Sequence, residues 1–172
     1  AANDFTAEGN FKPAKTPRAI HVLKRGDVTK PGEIAVPGAL SFVRDLQPRF
    51  SIQHAENEGE RRAALARWIT DPQNPLTWRS IVNRVWHYHF GRGIVETPND
   101  FGRMGGRPSH PELLDWLAWR FRETGGSLKQ LHRLIVTSSV YMQSSKHNPE
   151  FAKVDSDNAL LWRMNRTRLD AE

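Results

Sequence analysis

The sequence predicts a mainly α-helical fold: an orthogonal, irregular bundle of about five helices with an extended N-terminal arm that holds one or two short strands at most. Three observations predict it. From Glu60 onward, apolar residues recur at the spacing of a helix with one buried face. Cap signals at residues 74–75, 109–112 and 127–130 divide that region into separate helices. Before residue 60, Pro13, Pro17, Pro31-Gly32 and Pro37-Gly38 punctuate the chain and no helical repeat survives.

Taken in order, residues 1–18 read as an extended lead-in, with few apolar side chains. Ile20, Val22 and Leu23 form a short apolar pattern consistent with a strand, which needs a partner to persist. Gln53 to Gly59 reads as a polar linker. The division expected is therefore 1–59 as an arm and linker packed on the body, and 60–172 as the helical body. Ala64, Leu65, Trp68 and Ile69 share one face of the first helix, and Asp71-Pro72 ends it, because the residue before Pro is pushed out of the α region.

Asn74-Pro75 opens the clearest helix, about 75–90. Trp78, Ile81, Val82, Val85, Trp86 and His89 lie within one arc, while Arg79, Asn83 and His87 form a polar stripe elsewhere. Gly91 and Gly93 stop it. After a Gly- and Arg-containing loop, Ser109 and Glu112 have the spacing of a capping box for a helix to about Thr124, with Trp116 on its apolar face and Trp119 off it. Gly125-Gly126 break that helix. Ser127 and Gln130 form a second box, predicting a helix to about Ser144. Residues 145–156 read as a loop, and Asp157 as the cap of a last helix through Met164. The final run RTRLDAE has no stop signal, so the segment reads as part of a longer domain.

Composition restricts function without choosing it. The 172 residues are 38% hydrophobic, with six Trp and eight Phe to supply a core, and the formal net charge is +6. That charge favours anionic partners. There are no cysteines, so thiolate catalysis, Cys-based zinc and covalent haem attachment are absent from the segment. No apolar run reaches the roughly 18 residues of a membrane span. No motif for nucleic-acid binding appears, which makes that partner unlikely despite the charge.

The candidate site is the stretch Thr77 to His110. His87 and His89 look like a chelating pair, yet residues two apart on a helix diverge by about 200°, so they do not share an ion. His89 is expected in the core and His87 on the polar stripe. In GRMGGRPSH, Arg103 and Arg107 lie among glycines next to a helix start, an arrangement suited to an anion but without the spacing of a phosphate-binding loop. The expected binding residues are Arg79, Asn83, His87, Arg92, Asp100, Arg103, Arg107 and His110. No metal set and no catalytic set is recognisable. Asp100, His87 and His110 are the acid–base candidates if the domain is an enzyme.

The runs RRAALARWITDPQNPLTWRSIVNRVWHYHFGRGIVETPNDFG, PSHPELLDWLAWRF, SLKQLHRLIVTSSVYMQSS and NALLWRMNRTRLDAE, with HVLKRGDVTKPGEIAVPGAL before them, carry a family resemblance. Over about residues 18–172 the chain resembles the planctomycete-specific domain of unknown function found near the C-terminus of large secreted proteins that often carry a planctomycete-type cytochrome c domain. Asn83, Arg84, Trp86, His87, Arg92, Asp100, Phe101, His110 and Pro111 match the family pattern. The resemblance implies an extracytoplasmic location and neighbouring domains of the same polypeptide as partners. It implies no cofactor in this segment, haem belonging to a separate domain. It supplies no reaction. The expected function is a non-catalytic binding or scaffolding module that contacts neighbouring domains or an anionic polysaccharide. The alternative is part of a secreted redox or polysaccharide-degrading enzyme.

Overall fold

The computed structural model describes residues 17–43 and 45–166. The extended lead-in before residue 17 and the unterminated run after residue 166 lie outside the described residues. The protein is mainly helical, with five α-helices and one two-stranded sheet among those residues. It forms two compact units, Ala1–Asn74 and Pro75–Glu172.

In the first unit, strand β1 (His21–Leu23) pairs antiparallel with β2 (Pro31–Ile34), His21 opposite Ile34 and Leu23 opposite Pro31. The chain reverses between them with Arg25 and Gly26 at positive φ, 53° and 76°. Asp27 fastens the next turn: its carboxylate accepts from the Thr29 amide and hydroxyl and faces Lys30 at 3.0 Å. The Thr29 hydroxyl and Lys30 hold that carboxyl below the usual carboxylate range. A further bridge joins Gly38 and Arg49. Helix α1 (Glu58–Ile69) follows, capped by Asn57, whose side chain accepts from the amides of Gly59 and Glu60. The end of the polar linker is thus a helix cap. No α1 residue is buried, and Leu65 and Ile69 remain exposed.

The second unit is built on α2 (Pro75–Phe90). Helix α3 (Pro111–Glu123) packs along it, and α4 (Leu128–Val136) packs against both. Val82, Val85, Trp86 and Phe90 from α2 meet Leu114, Leu117 and Phe121 from α3 and Leu131 and Ile135 from α4. Ile94 and Val95 complete this core from the loop. Trp86 stacks on Phe90 with centroids 4.2 Å apart. Gly125 and Gly126, at φ 67° and 73°, end α3 as their spacing predicted.

Several expectations require correction. The helix α3 is not opened by a capping box. His110 occupies the N-cap without a side-chain cap bond, and the Ser109 hydroxyl donates to the Ile94 carbonyl at 3.2 Å instead. Helix α4 stops at Val136 rather than near Ser144. The Thr137 and Ser138 hydroxyls donate to the Arg133 and Ile135 carbonyls, and Ser138 Oγ accepts from the Tyr141 amide, which turns the chain. Ser127 does cap α4, accepting from the Gln130 amide.

The last helix also lies elsewhere. It is α5 (Pro149–Val154), inside the expected loop, opened by an Asn148 cap and Pro149 in the first turn. Residues 157–164 are turns. Asn158 and Leu161 take φ of 55° and 58°, which no α-helix admits, and the Asp155 carboxylate accepts from the amides of Ala159 and Leu160. Trp116, expected on the buried face of α3, is 46% exposed, nearly as open as Trp119 at 48%.

Candidate functional site

The polar stripe of α2 is not uniform. Arg79 pairs with Asp115 of α3. Asn83 is wholly buried: its Nδ2 donates to the Val95 carbonyl at 2.9 Å, and its Oδ1 accepts from the Val95 amide at 2.8 Å. The expectation that Asn83 faces a ligand from the surface is therefore corrected; it fixes the chain just after α2. Gly93 is required by the same contact, since a Cβ there would come within 2.8 Å of Asn83 Nδ2. His87 is half-buried, with its Nδ1 enclosed and unbonded among the described residues.

His89 was expected in the core. It is half-buried and directed at α4, where its Nε2 stands 2.7 Å from His132 Nδ1. His132 itself is exposed. One of those two nitrogens carries the hydrogen and the other accepts it. The edge of Tyr141 closes the pair, 5.7 Å from the His89 ring. Burial, followed by the charge of His132, pushes the His89 imidazole below its ordinary value. His87 and His89 serve different surroundings, as two residues 200° apart on a helix must.

The loop after α2 is built from within. The Thr97 hydroxyl donates to the Asp100 carbonyl at 2.7 Å and accepts from the Gly106 amide at 2.8 Å. The Asp100 carboxylate accepts from the Gly102 amide at 2.8 Å. Gly105 lies so close to Asp100 that a Cβ would fall 2.8 Å from its carbonyl carbon. Asp100 thus shapes a turn, and His110 Nδ1 lies 3.0 Å from Ser109 Oγ. The turn sets out Arg103 and Arg107 on the surface, and neither guanidinium has a side-chain partner among the described residues. Arg92 pairs with Glu96 at 3.0 Å, and Arg84 donates to Asn99 at 2.9 Å.

Arg92 and Arg107 line a cleft of about 130 Å³ together with Glu96, Ser109, the buried Asn158 and Asn165, and Trp86 and Phe90 also form its walls. His87, Asp100 and His110 do not line it. Thr97, Ser109, Asn158 and Asn165 were missed as contributors. Thr-Pro-Asn-Asp is a turn-forming sequence, and that signal marks Thr97. Nothing in the linear pattern marks Asn165, whose Nδ2 reaches back to the Phe90 carbonyl at 3.4 Å. Among the described residues no cluster of three or more His, Asp or Glu is placed to hold a metal, and no helix is long and apolar enough to cross a membrane.

Residues 61–172 match the family model PSD1, protein of unknown function (DUF1553), and the chain belongs to that family. No curated protein and no solved structure matches it.

Proposed function

We propose that this domain is a non-catalytic binding module of a larger exported bacterial protein, and that it contacts anionic polysaccharide through Arg103 and Arg107. The observation that carries the reading is the contrast among the arginines. Arg79 and Arg92 are paired, whereas Arg103 and Arg107 stand unpaired on a loop whose backbone is held by Thr97 and Asp100. The braced loop spares the backbone its ordering cost when the two guanidiniums meet carboxylates or sulfates, and each guanidinium offers paired donors in one plane. Arg92 can join them, because an exposed ion pair such as Arg92–Glu96 contributes only about 0–1 kcal/mol and opens readily.

The extracytoplasmic setting, the planctomycete lineage, the C-terminal position and a cytochrome c domain elsewhere in the polypeptide belong to the same proposal. They are supported by the resemblance of the motif runs. The acid–base alternative is weaker, since Asp100 is committed to a turn and His110 to Ser109.

The test is retention on immobilised polygalacturonate at low and high salt. The expectation is binding that weakens as the Debye length shrinks from about 10 Å at 0.1 M toward 3 Å at 1 M. Arg103→Ala with Arg107→Ala should abolish it while leaving thermal stability unchanged. Retention unaltered by the double substitution, or insensitive to salt, would sink the reading.

A further inference from the structure

A second recess lies where the end of α3 meets α4. It encloses about 280 Å³ between Phe121, Leu131 and Leu134, with Arg120 and Arg133 among the residues at its edge. Its lining includes no acidic residue. Neither Arg120 nor Arg133 has a side-chain partner among the described residues, in contrast to Arg79, Arg84 and Arg92. The Thr124 and Thr137 hydroxyls donate to the Phe121 and Arg133 carbonyls, so their protons are already used. The guanidiniums and the Gln130 amide are then the side-chain donors left to an occupant.

We propose that this recess binds a small molecule with one carboxylate and a compact apolar body, the carboxylate held by Arg120 and Arg133 and the body seated on Phe121, Leu131 and Leu134. Size sets the class. Ligand pockets usually span roughly 300–1,000 Å³, so this one takes a single ring with a short chain and not an oligosaccharide. Charge sets the sign. Both arginines lie in the last turns of their helices, where they also complement the helix dipoles. Each helix end carries only about half a negative charge, against a full positive charge on each guanidinium, so the rim stays attractive to an anion. The inference stands apart from the polysaccharide reading, which uses Arg103 and Arg107 on the loop after α2.

The probe is 4-phenylbutyrate, titrated into the ¹⁵N-labelled 172-residue chain, with 4-phenylbutylamine as its counterpart of opposite charge. Saturable shifts should concentrate on the amides of Phe121, Leu131, Leu134 and Thr137 with the acid, and be absent or far smaller with the amine. Arg120→Gln with Arg133→Gln should weaken the acid by at least about tenfold, the effect of losing one strong charge-assisted contact. If the arginines serve only the helix dipoles, the double variant unfolds more easily while the wild-type chain gives no saturable shift with the acid, and the proposal fails. Equal shifts from acid and amine overturn it as well, since the recess would then select only for apolar bulk. That acid-against-amine comparison needs no variant, so it decides even if the double substitution fails to fold.

Discussion

Two buried asparagines hold irregular backbone in the helical unit, and they do so in different ways. Asn83 projects from a regular helix and templates a strand-like pair of bonds with Val95, twelve residues on. Asn158 sits inside the irregular segment it organises. It adopts φ 55°, donates to the Arg163 carbonyl at 2.7 Å and to Asn165 Oδ1 at 3.0 Å, and accepts from the Arg163 amide. The first is a clamp from a rigid support. The second is a local knot whose partners are five and seven residues away. A clamp from a helix transmits any loss to the core, because Val82, Val85 and Trp86 flank it. A local knot loosens mainly itself.

The largest expected effect is therefore Asn83→Ala. It leaves the Val95 amide and carbonyl unpaired in the interior, at roughly 1–3 kcal/mol for each group. Urea denaturation should show the unfolding free energy falling by that combined amount, and a change within error would break the comparison. Gly93→Ala attacks the same clamp through crowding and should cost about 1–3 kcal/mol. Asn158→Ala should cost less globally than Asn83→Ala but expose the amides of residues 159–165 to hydrogen exchange. Asn158→Gly sharpens this further: it restores the positive φ without the bonds, and should recover about 1 kcal/mol of the loss if backbone strain matters. Equal global losses from Asn83→Ala and Asn158→Ala would dissolve the distinction.

The smallest effect concerns pH. His89 is held below its ordinary value of 6.5, so the unfolded chain binds its proton first as pH falls. The stability gained from a neutral His89 is present above pH 6.5 and is lost as pH drops from there to the depressed folded value. Tyr141 and His132 are the groups that face it from outside α2. Thermal midpoints measured from pH 7.5 to 5 should decline less steeply in His132→Gln than in the wild-type chain. Parallel declines would assign the pH dependence to other groups.

What the linear pattern revealed follows from these same residues. Helices with a long apolar arc, α2 and α3, were legible almost to the residue, because burial of one face repeats at helical spacing. Where short polar side chains compete for the backbone, the pattern misled. Ser109 has the spacing of a cap and ties a loop instead. Thr137 and Ser138 cut α4 short although apolar residues continue beyond them. The candidate site was legible as a region and not as a set. The sequence singles out arginines there, yet whether one is paired depends on Asp115 or Glu96 in space, and whether Asn83 faces water depends on where Val95 returns.

The loop after α2 separates support from display. Thr97, Asp100 and Gly105 specify its course through bonds and close approaches that run inward or along the chain. Positions 103 and 107 take no part in that specification. Substitutions there can alter what the surface attracts, even inverting its charge, while the path of the backbone stays the same. The loop is thus a fixed mount with two exchangeable fittings.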